Sequence, residues 1–336
     1  MNLTDPKYTP HGLVRDMLEA PEIIRNFDFR QTAEIADAVK SAGKLFFTGE
    51  GSSRIFPAKF AMSVAMKAGM PITLATAGSF EAAEFDLADW AVFGASNSGQ
   101  TKEVVSLFQK LEAAGHQKRF AVTAHENTKL ESVSNRTIVL SCGKENAVAA
   151  TKSVLEQALV YQSVLCNLAG GCCTCGLKSA ADAAEEVLAA EYDPEIVAKI
   201  AGAPTIYFAG RNDGVAEELT LKTNETTRKK SDYLEGTYLL HGIEEIMNPG
   251  ETVILIDPFE SECSKIKEHL SDAIGVNIIA VGPRQTIFPT ILLPSVGRLD
   301  PILQLLAGWN ILVQAGIALG TNLDKPQRAR KVGNAF

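Results

Sequence analysis

Short β-prone runs that close in a glycine or serine turn and pass straight into helically spaced apolar residues recur along this chain. That alternation leaves little besides a parallel sheet covered by helices on both faces. Leu45-Phe46-Phe47 is closed by Thr48-Gly49-Glu50-Gly51-Ser52-Ser53, after which Ile55, Phe60 and Val64 follow at helical spacing. Trp90-Ala91-Val92-Phe93-Gly94-Ala95 leads into Ser96-Asn97-Ser98-Gly99-Gln100-Thr101 and a helix through Val104, Val105, Leu107, Phe108 and Leu111. Further strands are predicted at 119–123 and 136–140. A largely apolar helix over 150–168 closes the first domain, and its composition predicts burial, with a subunit interface as one place for it.

The Gly/Cys stretch at 170–176 and an Ala/Glu-rich helix at about 178–191 read as a hinge region, after which the pattern restarts. A strand at 205–209 ends in Gly210-Arg211-Asn212-Asp213-Gly214 and a helix over 215–226; strands at 252–256 and 276–281 and a long helix over 301–318 follow. A length of 336 residues also suits about two domains. The expected division is an N-terminal helical segment (1–30), a first domain that binds phosphate (31–190), a second domain (191–322) and a C-terminal tail at the active site (323–336).

With 46% apolar and 21% charged residues the composition is globular. No uninterrupted apolar run approaches the roughly 18 residues of a membrane span, and the start MNLTDPKYTPHG has no signal-peptide pattern. A cytoplasmic protein with neither membrane nor nucleic acid as a partner is expected, since a net charge of −8 repels a polyanion. Any bound anion must be held locally. Cys172, Cys173 and Cys175 crowd together, but no second Cys/His cluster accompanies them, so no metal is expected and the cysteines are expected to be reduced thiols.

The turns after the first and second predicted strands lie where ligands of open α/β sheets bind. They bring hydroxyls and free backbone N–H groups to helix N-termini, which suits a phosphate without a large positive charge. Ser and Thr there could merely cap helices. Five hydroxyl or amide side chains around one glycine in Ser96–Thr101 exceed what a single cap uses. Neither GxGxxG nor the Gly-Lys-Ser/Thr ending of a P-loop is present, so no nucleotide cofactor is expected.

These residues resemble the SIS (sugar isomerase) domain family, in particular the isomerase half of glucosamine-6-phosphate synthase and SIS-type glucosamine-6-phosphate deaminases. Ser96-Asn97-Ser98-Gly99-Gln100-Thr101 is similar to the family's Ser-Gln-Ser-Gly-Glu-Thr, and Asn146-Ala147-Val148-Ala149-Ala150-Thr151-Lys152 to its Gly-Val-Ala-Ser-Thr-Lys. Leu221-Lys222-Thr223-Asn224-Glu225 looks like the synthase's Leu-Lys-Leu-Lys-Glu, and Leu323-Asp324-Lys325-Pro326 with Lys331 like its C-terminal ending. The resemblance covers nearly the whole chain after the entry helix. It implies two SIS domains, each a flavodoxin-like, doubly wound parallel sheet.

Carried over residue by residue, the resemblance implies that Gly51, Ser52, Ser53, Ser96, Asn97, Ser98, Gly99, Gln100 and Thr101, with Lys222, hold the phosphate and neighbouring hydroxyls of a sugar lined by Val148 and Ala150. Glu225 matches the carboxylate that moves a proton between C1 and C2, Lys331 a lysine at the anomeric end, and His241 a ring-opening histidine that the synthase takes from its neighbouring subunit. The chemistry agrees with these roles. Aldose–ketose exchange needs a base for an acidic C–H, and an imidazole can pass protons to a ring oxygen. Gln100 and Asn97 depart from the family's Glu and Gln, and Gly242-Ile243 from its Gly-Pro. The glutaminase half has no counterpart in these residues, residue 2 being Asn rather than Cys, so no internally generated ammonia is expected.

The implied activity is conversion of glucosamine 6-phosphate to fructose 6-phosphate and ammonia. The alternatives are a fructosamine-6-phosphate deglycase, a plain aldose/ketose phosphate isomerase, and a sugar-phosphate-binding regulator without turnover. A homodimer with shared active sites is expected from the histidine's role and from apolar surface on the 150–168 helix.

Overall fold

The computed structural model describes residues 1–336 apart from 172, 173, 175, 329, 331–333 and 336. The alternation becomes two parallel five-stranded sheets flanked by helices, the α/β architecture expected. The first sheet has the order β2-β1-β3-β4-β5, with β1 (Lys44–Gly49), β2 (Thr73–Ala77), β3 (Ala91–Ala95), β4 (Arg119–Thr123) and β5 (Arg136–Val139), every pair parallel. β3 and β4 are buried throughout and β1 nearly so, as strands covered on both faces must be. β2 was not predicted. It is an edge strand of sequence Thr-Leu-Ala-Thr-Ala, half-exposed and without a continuous apolar run.

Phe47 on β1 and Phe93 on β3 meet Tyr161 of the helix Lys152–Ala169, with ring centroids 4.4 and 4.9 Å apart. Every residue of that helix from Lys152 to Cys166 is buried within this one chain. Its apolar composition therefore belongs to the chain's own core, and the spare apolar surface expected on it for a partner is not there.

The second sheet has the order β10-β9-β8-β6-β7, with β6 (Thr205–Gly210), β7 (Lys230–Glu235), β8 (Thr252–Ile256), β9 (Asn277–Gly282) and β10 (Thr290–Leu292), again all parallel. The two unpredicted strands are its edges: β7 reads Lys-Ser-Asp-Tyr-Leu-Glu, and β10 has three residues. The helix Val215–Thr227 packs on Asp300–Ala318, where a Cβ on Gly308 would fall 2.3 Å from Leu219, so glycine sets how closely they approach. The segment Gly297–Ala318 has the length and composition of a membrane span, contrary to the expectation of none. Polar residues such as Gln304, Asn310 and Gln314 interrupt its apolar run, and 83% of its most apolar window is buried, so it is a core helix.

By internal contacts the first sheet belongs with residues 22–145, 150–178 and 329–336, the second with 1–21, 146–149 and 179–328. The N-terminal segment expected as one piece is thus divided at residue 21, and the Ala/Glu-rich helix, observed at Leu177–Ala189, falls almost wholly in the second unit instead of a hinge. An unpredicted helix, Pro194–Gly202, follows it. Asp193 caps that helix by accepting from the Glu195 N–H at 2.8 Å, and Pro194 opens it, so its start signal stood in the sequence. The three crowded cysteines lie outside the described residues. Cys166 is disulfide-bonded, which corrects the expectation of thiols alone, while Cys142 and Cys263 are free and buried.

Candidate phosphate site and catalytic helix

From β1 the chain winds outward to β2, then returns to place β3 on the other side of β1. This reversal opens a crevice at the carboxyl ends of β1 and β3, the usual ligand position in such sheets. Its two lips are the turn Gly51–Ser53, which leads into the helix Ile55–Lys67, and the loop Ser96–Thr101, which leads into Lys102–Ala113. Ser52 is buried and Ser53 half-buried.

The loop's hydroxyls are not ordinary caps. Thr101 occupies the N-cap position of Lys102–Ala113 but makes no side-chain cap bond; its Oγ1 lies 2.7 Å from Ser96 Oγ. Ser98 Oγ accepts from the Gln100 N–H at 3.1 Å. The first turn of the helix therefore keeps donors and dipole for an anion or for other chain. Asn334 supplies one such partner, its carbonyl accepting from the Lys102 N–H at 3.2 Å, and Ala335 pairs with Thr101 as an antiparallel bridge. Lys331 lies outside the described residues.

Gly99 fixes the loop's course. Its φ is +61°, and a Cβ there would fall 2.3 Å from Thr128 Cβ. Gly99→Ala is expected to cost about 1–3 kcal/mol through overpacking and left-handed backbone strain, read by chemical denaturation, and to weaken fructose 6-phosphate binding.

Two carboxylates absent from the sequence-based assignment shape this site. Glu145 is buried, and its Oε1 accepts from the Thr151 N–H (2.7 Å), the Ser153 N–H (3.3 Å) and Ser153 Oγ (3.1 Å) at the start of Lys152–Ala169. Its Oε2 accepts from Asn97 Nδ2 at 3.0 Å, and Asn97 Nδ2 also donates to Ser153 Oγ at 3.0 Å. Glu50, inside the first turn, accepts from the Ser79 N–H at 2.8 Å. An acidic residue shortly before a predicted helix start was the available signal for Glu145; nothing local marked its reach to Asn97.

In the second unit, Glu218, Lys222 and Glu225 line one face of Val215–Thr227 at i, i+4 and i+7. Lys222 Nζ donates to Glu225 Oε2 at 2.5 Å and lies 3.3 Å from Glu218 Oε1. Lys222 and Glu218 are fully buried, while Glu225 keeps 26% side-chain exposure. Lys222, assigned to the phosphate by resemblance, thus directs its ammonium at two carboxylates of its own helix, and Glu225 is the accessible member of the three. His241 is exposed and followed by Gly242 at φ +100°. Val148 is half-buried, its N–H donating to the Asp324 carbonyl at 3.0 Å, and Asp16 holds the same segment by accepting from the Asn146 and Ala147 N–H groups at 2.7 and 3.1 Å. Ala150 belongs to the first unit and is half-buried.

The second sheet has the same reversal between β6 and β8, but there Arg211 Nη1 donates to Asp257 Oδ2 at 2.6 Å and its guanidinium lies 4.6 Å from the Phe259 ring centroid. These groups leave a cavity of about 10 Å³. The second crevice carries an ion pair where the first carries hydroxyls.

Residues 39–166 match the model of the SIS domain. The chain is 25% identical to the glutamine–fructose-6-phosphate aminotransferase (isomerizing) of Bacillus subtilis strain 168 over 96% of its length, and spans 58% of that protein. Among solved structures, the glucosamine-6-phosphate deaminase of Thermotoga maritima aligns with a TM-score of 0.71 at 18% identity, covering 96% of this chain and 99% of that one. The tagatose-6-phosphate ketose/aldose isomerase of Escherichia coli aligns at 0.76 and 18% identity, covering 96% and 97%. The first sheet from β1 to β5 and the Ser96–Thr101 loop lie inside the matched segment, so it is this part of the chain that is similar to the SIS domain.

Proposed function

We propose that this protein binds a sugar 6-phosphate and interconverts an amino-sugar phosphate and a ketose phosphate, releasing ammonia from glucosamine 6-phosphate. The observation that carries the proposal is the Ser96–Thr101 loop, whose hydroxyls stand at a switch-point crevice without serving as helix caps. The phosphate is held there by Ser53, Ser96, Ser98 and Thr101 and by N–H groups at the start of Lys102–Ala113, with no cation required. Glu225 is the base that carries the proton between C1 and C2. Lys222 keeps its carboxylate in place, and the residual exposure of Glu225 lets a substrate reach it. His241, exposed on its loop, suits a histidine shared across a homodimer, and the protein is assigned to the cytoplasm.

The relatives' names agree with this chemistry in the words they carry, an isomerizing aminotransferase on fructose 6-phosphate and a glucosamine-6-phosphate deaminase. A coupled assay for ammonia from glucosamine 6-phosphate is expected to show turnover. Gln100, half-buried in the loop where the synthase has a glutamate, favours one second reading, a deglycase acting on fructosamine 6-phosphates. Turnover of those compounds with none of glucosamine 6-phosphate selects it; binding of both without turnover of either selects a regulator.

A further inference from the structure

The Thr151 and Ser153 N–H groups and the Ser153 hydroxyl all donate to the Glu145 carboxylate, so the end of Asn97 that meets it is the amide nitrogen. Both protons of Nδ2 are then in use, one on Glu145 Oε2 and one on Ser153 Oγ, each at 3.0 Å. Ser153 can accept because its own proton goes to Glu145 Oε1 at 3.1 Å. What remains of the Asn97 side chain is Oδ1, an acceptor. Asn97 is half-exposed, and both of its side-chain hydrogen bonds are made through Nδ2.

An acceptor is the wrong partner for a phosphate ester, whose oxygens are themselves acceptors, and the right one for a hydroxyl. We infer that Glu145 is a positioning residue that turns the Asn97 amide so that its Oδ1 accepts from a hydroxyl of the sugar, which makes Asn97 a reader of the sugar and not of the phosphate. The inference rests on the loop being a sugar-phosphate site. It narrows the role that resemblance gave Asn97, and it gives the buried Glu145 a function.

The test is calorimetric titration of two probes, inorganic phosphate and fructose 6-phosphate, into the wild-type chain, Asn97→Ala, Glu145→Gln and the double variant. Asn97→Ala and Glu145→Gln are each expected to weaken fructose 6-phosphate by about 3- to 10-fold, the worth of one hydrogen bond, while leaving phosphate within about 2-fold. The double variant is expected to be no weaker than Asn97→Ala alone, because Glu145 acts through Asn97. A structural defect in the loop would weaken both probes together. Should Glu145→Gln fail to fold, Ser153→Ala, which removes the second acceptor for Nδ2, takes its place with the same expectation. Equal weakening of both probes, additive losses, or variants that leave both affinities unchanged overturn the inference while the phosphate site stands. Wild-type protein that binds neither probe overturns the phosphate site and this inference together.

Discussion

Glu225→Gln is expected to lower turnover of glucosamine 6-phosphate by about 10²- to 10⁴-fold, the usual contribution of a positioned general base. The amide keeps the size of the carboxylate and can still accept from Lys222, but it cannot take up a proton from carbon. Affinity for fructose 6-phosphate is expected to stay within a few-fold, since the proposed phosphate site is the loop at the end of β3. The two readouts together separate a lost base from a lost site. Turnover that survives within about 3-fold removes Glu225 from the reaction and returns the question to residues such as Glu50, at the first turn.

The second large effect is on stability. Lys222 is fully buried beside Glu218, also fully buried, and Glu225. Lys222→Met keeps the stem's volume and removes the cation, which takes the Lys222 ammonium away from the buried carboxylate of Glu218. Breaking a buried pair in this way costs about 3–5 kcal/mol. Urea unfolding should show the midpoint falling by that free energy divided by the unchanged slope. The double change Glu218→Gln with Lys222→Met should recover part of the loss, because no charge is then stranded. A loss below about 1 kcal/mol in the single variant would mean that water reaches Glu218.

The parts of this protein that were legible in the sequence are those where one local signal suffices. β1, β3, β4, β6, β8 and β9 are buried on both faces, so continuous apolar runs announced them, and the turns after β1 and β3 carried their own glycine and hydroxyl signature. Of the edge strands, β5 was still announced by its Thr137-Ile138-Val139 run, whereas β2, β7 and β10 have one solvated side and no such run, and their pairing depends on a neighbour the local sequence does not name. The same limit governs the site. Thr101 was visible as a hydroxyl before a helix, but that it bonds Ser96 instead of capping is a fact of the folded loop. The reach of Glu145 to Asn97 was invisible because the two lie 48 residues apart. Lys222 was read from a motif as a phosphate ligand, and only the helix register shows it set between two carboxylates one turn to either side.

The central claim is that the crevice between β1 and β3 holds a phosphate ester while its counterpart in the second sheet does not. A crystal structure of the wild-type chain with fructose 6-phosphate tests this most directly. The phosphate is expected within hydrogen-bond distance of Ser53, Ser98 and Thr101, with the Arg211–Asp257 pair intact and no ligand beside it. A phosphate seated on Arg211 or Arg284 at the ends of β6 and β9, with the Ser96–Thr101 loop empty, would contradict the account.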